Sequence, residues 1–234
     1  MGPTRTYHDL LEAFGQDGCA VCRLAARSVS SFLSSISNEG GLTDPEVRDR
    51  IRAAHGFCNE HAHQWLREQH LLGTAILYED LLDHLATELQ ALRFQKRGRL
   101  GNPFTARERT PVALAAHQEC AACRSLADTE QRMIAAVLSG LRAEEFRTAY
   151  EHSRGLCVPH LRVALAEAPD EDLFATLTDL AVARHKALAE QLREIIRRHD
   201  YRYSEEPSGE ERGAAARAVR QVVGEQGIRG MDHG

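Results

Sequence analysis

The apolar residues of this chain recur at helical spacing rather than in alternation. In the longest amphipathic segment they fall at Leu173, Leu177, Leu180, Leu188, Leu192 and Ile195. This spacing places them along one face of an α-helix. The same kind of pattern predicts helices over 22–36, 58–70, 74–96, 123–141, 157–167 and 171–199.

Two shorter helices are predicted between these segments. Thr43-Asp44-Pro45-Glu46 combines a capping residue with proline in the first turn, which is a strong signal for the start of a helix. In the second half, residues 142–152 take the corresponding place. We therefore expect a chain of long and short helices joined by brief connections.

The composition supports an all-α fold. The 234 residues include 33 Ala and 27 Leu against 11 Val and 7 Ile, and β-branched residues are the ones that favour strands. No apolar run approaches the roughly 20 residues of a membrane-spanning helix, and the N-terminal segment lacks the apolar core of a secretory signal. We expect a cytoplasmic protein whose thiols are reduced. A net charge of −5 argues against general binding to nucleic acid.

The chain is an internal duplication. Cys19-Ala-Val-Cys22-Arg23 is repeated as Cys120-Ala-Ala-Cys123-Arg124, and both copies read C-x2-C-R. Farther along each half a second motif, G-[FL]-C-x2-H, carries Cys58 with His61 and then Cys157 with His160. The two copies are offset by 101 residues at the first motif and by 99 at the second. All six cysteines belong to these motifs.

The duplication predicts two tandem lobes. We expect a first helical repeat over 1–95, a basic linker over 96–111, a second repeat over 112–203 and a mobile tail with a weak helix over 204–234. Residues 93–111 hold six basic residues and one acidic residue, which favours a solvated linker, with contact to the acidic lobes or to an acidic partner as the alternatives.

Three cysteines and one histidine in each repeat match the ligand set of a tetrahedral metal site. The expected ligands are Cys19, Cys22, Cys58, His61, Cys120, Cys123, Cys157 and His160. Two helices of about 12 residues would each run about 18 Å, so we expect each repeat to fold back as a hairpin and close its own site. Two structural zinc ions per chain are the simplest interpretation.

Other cofactors fit the same ligands less well. Two iron–sulfur clusters would make the protein a redox or electron-transfer protein, although histidine is an uncommon cluster ligand. Thiol–disulfide exchange of the thioredoxin kind lacks the preceding strand, and covalent haem needs C-x-x-C-H, whereas arginine follows both pairs. No motif for a catalytic triad, a phosphate loop or a dinucleotide site is present, so no catalytic residue is predicted.

These motifs resemble those of a bacterial family of unknown function whose members carry C-x2-C-R and G-[FL]-C-x2-H in duplicate. The resemblance covers residues 7–200 and rests on the eight expected ligands with Arg23, Gly56, Arg124 and Gly155. It implies a cytoplasmic bacterial protein and supplies no activity. The sequence thus favours a metal-binding helical scaffold or interaction protein, with an iron–sulfur protein as the alternative.

Overall fold

The computed structural model of the chain describes residues 4–38, 40–69, 71–92, 116, 118–200, 202, 209 and 211–228. Within these residues the secondary structure is helical, with no strand. The α-helices are α1 (Arg5–Phe14), α2 (Ala20–Asn38), α3 (Pro45–Ala53), α4 (Asn59–Glu68), α5 (Leu71–Ala91), α6 (Ala121–Gly140), α7 (Glu144–His152), α8 (Val158–Ala166), α9 (Glu171–Arg198) and α10 (Ala214–Val223). A short 3-10 turn covers Gly41–Thr43. The all-α prediction is confirmed.

Local sequence signals account for where several of the helices begin. The Asp44 carboxylate accepts a hydrogen bond from the backbone N–H of Glu46 at 2.9 Å, and Pro45 occupies the first turn of α3. Pro159 lies in the first turn of α8, where its missing N–H has no helical partner to lose. Helix α1 was not predicted, although Thr4 caps it and Leu10 and Phe14 are buried on one of its faces.

The chain divides into two compact units that do not follow the two repeats. Unit 1 comprises Met1–Ser28 with Leu126–Gly234, and unit 2 comprises Val29–Ser125. These boundaries differ from the predicted lobes over 1–95 and 112–203, because α2 begins in unit 1 and ends in unit 2, whereas α6 does the reverse.

The lengths of the helices explain this path. Helix α2 has 19 residues and therefore runs about 28 Å, whereas α3 has 9 residues and returns only about 14 Å. The expected hairpin of two equal helices is therefore wrong, since α3 covers only about half the length of α2 on the way to Cys58. Equivalent hydroxyls of the two first helices, those of Ser28 and Thr129, lie 3.0 Å apart and 101 positions apart in sequence.

Unit 1 is built around an aromatic core. The ring of Phe14 on α1 meets Phe146 and Tyr150 of α7 edge to face, with centroids 5.1 Å and 5.5 Å apart. Phe146 is fully buried and Tyr150 nearly so. These contacts hold α1 against α7 and so fix the loop that leads into Cys19.

Unit 2 is built around the one tryptophan of the chain. Trp65 on α4 is fully buried, stacks at a tilt on Phe57 and donates its indole N–H to the Thr74 hydroxyl at 3.1 Å. Leu77 and Leu81 of α5 are buried as well. Helices α4 and α5 therefore form one packed layer behind the C-x2-H motif.

The C-terminal segment is anchored by a helix. Helix α10 packs against α8 and α9, and Gln221 donates to the backbone carbonyl of Leu156 at 2.7 Å. The weak helix predicted within the tail over 204–234 is present as Ala214–Val223. The predicted basic linker over 96–111 lies outside the described residues.

Candidate metal centres

The eight expected ligands form two groups, each of three cysteines and one histidine. Centre 1 consists of Cys19, Cys22, Cys157 and His160, and centre 2 consists of Cys58, His61, Cys120 and Cys123. In each group all four ligand atoms lie within 4.8 Å of one another. The structure therefore confirms two Cys3His groups in the chain.

The grouping within the repeats was predicted wrongly. Each C-x2-C pair joins the C-x2-H motif of the other repeat, and not that of its own. The physical reason is the long α2 and its counterpart α6, which carry the chain out of the unit in which they start. Centre 1 consequently lies within unit 1 and centre 2 within unit 2.

All four motifs place their ligands in the same way at the start of a helix. The carbonyl oxygens of Cys19, Cys58, Cys120 and Cys157 each accept the first hydrogen bond of the helix that follows, at 2.8–3.1 Å. The first cysteine is thus the N-cap residue and the second ligand is the third residue of the helix, the arrangement that a capping box uses for two polar side chains. Unpaired N–H groups and the positive end of the helix dipole face these sulfurs and favour thiolates.

The distances within centre 1 fit a single tetrahedral ion. The Nδ1 atom of His160 lies 3.5, 3.4 and 3.1 Å from the sulfurs of Cys19, Cys22 and Cys157. Cys22 and Cys157 are 3.6 Å apart between sulfurs. A tetrahedral zinc ion separates sulfur from nitrogen by about 3.6 Å and sulfur from sulfur by about 3.8 Å.

Centre 2 repeats this geometry. The Nδ1 atom of His61 lies 3.3, 3.7 and 3.4 Å from the sulfurs of Cys58, Cys120 and Cys123. The sulfurs of Cys58 and Cys123 are 3.6 Å apart. Both histidines therefore face their cysteines with Nδ1, which leaves Nε2 for an outer partner.

The close approach of the thiols splits their pKa values. In centre 2, hydrogen bonding from Cys123 lowers the pKa of Cys120 to about 3, whereas the hydrogen bond with Cys120, together with burial, raises the pKa of Cys123. In centre 1, burial alone would raise the pKa of Cys19, but hydrogen bonds with Cys157, Cys22 and His160 hold it well below its usual range. Three thiolates at such distances would repel one another, and a bound cation would offset that repulsion.

A buried carboxylate contacts the histidine of centre 1. Nε2 of His160 lies 3.0 Å from Oε1 of Glu130, and both side chains are buried. Burial would lower the pKa of His160, but hydrogen bonds with Cys157, Cys19 and Glu130 raise it to about 12. A carboxylate in this place fixes the tautomer of a metal-binding histidine and raises its basicity.

Glu130 was missed at the sequence level, although a signal was present. It lies four residues from Leu126 and from Ile134, so it stands in the buried apolar stripe of α6. A charge in such a stripe indicates a buried polar partner. Comparison of the two repeats does not reveal Glu130, because Val29 holds the equivalent position in α2.

Arg23 and Arg124, which follow both C-x2-C pairs, are placed differently. The Arg23 guanidinium donates to the backbone carbonyl of Asp17. Arg124 is exposed on α6. The arginine is repeated in the sequence, but its two copies have different surroundings.

Comparison with known proteins supports the family resemblance that the motifs indicate. The family described as "Family of unknown function (DUF6062)" matches residues 8–227 of the chain. The chain belongs to this family. A curated relative, "Uncharacterized 23.9 kDa protein in xynA 3'region" from Caldicellulosiruptor sp. (strain Rt8B.4), is 37% identical over 73 residues. That alignment covers 31% of this chain and 35% of the relative, so the chain matches about a third of the relative's length.

Two further observations complete the comparison. No solved structure matches the chain. Among the helices that the structure describes, none combines the length and the apolar character needed to cross a membrane.

Proposed function

We propose that the protein is a helical scaffold or interaction protein held together by two structural zinc ions. The observation that carries this proposal is the convergence of four protein ligands at each centre. A tetrahedral ion bound by three thiolates and one imidazole has no position left for a substrate, so such a site contributes stability and not catalysis. The role is cytoplasmic in this proposal, where thiols remain reduced and available to the metal.

The spacing of the ligands supports a single ion over a cluster. One tetrahedral ion bound to sulfur at about 2.3 Å holds its sulfurs about 3.8 Å apart, close to the 3.6 Å between two of the sulfurs in each centre. An iron–sulfur cluster places several metal and sulfide atoms between its terminal ligands and needs a wider cage. The short distances between ligand atoms in both centres therefore favour zinc.

Elemental analysis of anaerobically purified protein tests the proposal. We expect about two zinc ions per chain, with no iron and no visible absorption. Iron accompanied by acid-labile sulfide and charge-transfer absorption would replace zinc with the cluster interpretation.

Ligand variants test whether the metal is structural. Cys58→Ser is expected to release one ion and to destabilise unit 2, which the fluorescence of Trp65 reports because it is the one tryptophan of the chain. His61→Cys is expected to retain the ion, since four thiolates also bind zinc well. An unchanged unfolding curve with full metal content in Cys58→Ser would contradict a structural role.

A further inference from the structure

A third group of metal-binding side chains lies in unit 2, outside both sulfur-rich centres. His84 and Glu88 stand four residues apart on α5, so both side chains project from the same face of the helix. His55 reaches them from the turn between α3 and α4. One ligand atom from each of the three residues lies within 4.8 Å of the others.

Two of the distances in this group match those between ligands of one ion. Nε2 of His55 lies 3.3 Å from Oε2 of Glu88, and Nε2 of His84 lies 3.4 Å from Oε1 of the same carboxylate. A tetrahedral ion with bonds of about 2.0–2.1 Å to nitrogen and oxygen separates its ligands by about 3.4 Å. Each carboxylate oxygen thus faces one imidazole at the separation that a shared metal produces.

A simple ion pair explains the group less well. Charge-assisted hydrogen bonds to a carboxylate are about 2.7–2.9 Å long, and both separations here are longer. The buried Oε2 of Glu88 accepts no hydrogen bond from the described residues. A carboxylate oxygen that is withdrawn from water without a hydrogen bond is costly, and a bound cation offsets that cost.

The backbone of His55 adopts a strained conformation. Its φ is +51°, in the left-handed region, and the next residue, Gly56, has a φ of +92°. A non-glycine residue in this region is disfavoured by about 1 kcal/mol or more and persists only where its surroundings fix it. The strained turn points the imidazole of His55 at Glu88.

The second repeat has a fixed cation at the corresponding place. The buried positions of α5 and α9 correspond at an offset of 100, with Leu77 matching Leu177 and Leu81 matching Ala181. At the same offset His84 corresponds to Arg184 and Glu88 to Leu188, whereas His55 corresponds to Arg154. The Arg184 guanidinium donates to backbone carbonyls of Tyr150 and Ser153 at 2.6 and 3.2 Å. One repeat therefore carries permanent positive charge where the other carries ligands for a cation.

We propose that His55, His84 and Glu88 bind a divalent first-row transition ion with open coordination positions. Two imidazoles and one carboxylate are the protein ligands of many mononuclear zinc and non-haem iron sites, in which water or a substrate completes the coordination. The His84 side chain is 36% exposed, so the site opens to solvent on that side. It accepts water or a small ligand with an oxygen donor. This site is independent of the proposed role of centres 1 and 2.

Titration of the full-length protein with Co²⁺ tests the proposal. After a mild chelator has removed loosely held metal, we expect one further equivalent of Co²⁺ to bind in addition to the two tightly held ions. Its absorption should show weak d–d bands without sulfur-to-cobalt charge transfer, because the ligands are nitrogen and oxygen. This signature separates the third site from metal exchange at the two sulfur-rich centres.

Variants locate the third equivalent. Glu88→Gln and His84→Ala are expected to weaken the affinity for the third equivalent of Co²⁺ at least 100-fold. The two tightly held ions should remain, which also shows that the variants are folded. Exposed residues of the same unit serve as controls, and Glu79→Gln on α5 and His63→Ala on α4 should bind like the wild type. The proposal would be overturned if the wild type bound no Co²⁺ beyond the two tightly held ions. It would also be overturned if Glu88→Gln bound the third equivalent with unchanged affinity.

Discussion

The two centres share ligands and geometry but differ in what surrounds them. All four ligands of centre 1 are buried, whereas Cys58 and Cys123 of centre 2 are partly exposed. Glu130 backs His160 in centre 1, and the equivalent position in the first repeat is Val29. The repeated motifs thus preserve the Cys3His group while its outer contacts differ. Outer contacts tune affinity and exchange, so the two ions should differ in lability.

The C-terminal helix adds to this difference. Gly224, just after α10, has a φ of +84°, and a Cβ at this position would lie 3.7 Å from the sulfur of Cys22 and 3.8 Å from that of Cys157. Backbone at the end of α10 therefore covers centre 1 closely. Beside it, Arg154, Arg184 and Gln221 are among the residues that line a cavity of about 130 Å³.

The crossed pairing of the motifs gives the largest expected effect. Cys22→Ser with Cys157→Ser damages centre 1 alone, so about one ion should remain per chain. Cys22→Ser with Cys58→Ser damages both centres, so both ions should be lost, with several kcal/mol of stability. Metal content measured by elemental analysis checks both variants. The reverse pattern, with one ion retained in the second variant, would show that each repeat closes its own site.

Replacing the buried carboxylate should make centre 1 behave more like centre 2. Glu130→Gln is expected to weaken metal binding at centre 1 by about 10–100-fold, because it removes the charge that orients and polarises His160. Competition with a chromogenic chelator measures the affinity of each ion. Asp128→Asn, on the exposed face of the same helix, is the matched control. If Glu130→Gln and Asp128→Asn bind metal at centre 1 with equal affinity, the Glu130 carboxylate does not distinguish centre 1 from centre 2.

The covering segment should affect the rate of metal release. Gly224→Ala is expected to cost about 1–3 kcal/mol, since the residue has φ +84° and ψ −175°, a region that only glycine adopts readily. We also expect faster transfer of the ion from centre 1 to a chelator. Gly227→Ala matches the positive φ and should leave the transfer rate unchanged. If both variants release metal at the wild-type rate, the end of α10 does not protect centre 1.

The smallest effect concerns acid stability of the two units. Hydrogen bonds from Arg52, assisted by the charge of Arg48, lower the pKa of Asp80 and join α3 to α5. This stabilisation is complete above the usual carboxyl pKa and is lost as the pH falls through the lowered value. Arg184 instead joins α7 to α9 through backbone carbonyls, which do not titrate. The contact between α3 and α5 should therefore weaken in acid, whereas the contact that Arg184 makes between α7 and α9 should not.

Asp80→Asn measures the size of this contribution. It should remove about 1 kcal/mol at neutral pH and flatten the pH dependence of urea unfolding followed by Trp65 fluorescence. Asp49→Asn is the control, because Asp49 also bonds to Arg52 but its side chain is 71% exposed. A pH dependence equal to that of the wild type in Asp80→Asn would assign the acid sensitivity to other groups.

The sequence predicted the helices and the ligand types well because both depend on local patterns. N-cap and third-residue ligands follow from C-x2-C and C-x2-H, and the apolar spacing indicates the faces of α5 and α9. The pairing of the motifs could not be read from the duplication alone, since either C-x2-H is chemically equivalent for each C-x2-C. The structure distinguishes the two pairings, because α2 is about twice as long as α3 and carries the chain into the other unit before Cys58.

Features that occur in one repeat were the hardest to predict. His55 corresponds to Arg154 in the second repeat, and Glu130 corresponds to Val29 in the first. Neither residue is therefore part of the repeated pattern. Their partners are 30 or more positions away, and burial is what makes them significant. Such residues become visible only when the packing of the helices is known.

The exchange of ligands between the repeats also governs when each centre can form. Centre 2 lacks a full ligand set until Cys123 has been synthesised, and centre 1 until His160 has been, even though the first cysteine is at position 19. Cys22 and Cys157 are 135 positions apart, whereas Cys58 and Cys123 are 65 apart, so closing the longer loop costs about 0.6 kcal/mol more in chain entropy. Long-range closure of this kind slows folding. Neither centre can therefore be completed by the first repeat alone, and completing both requires the chain through the start of α8.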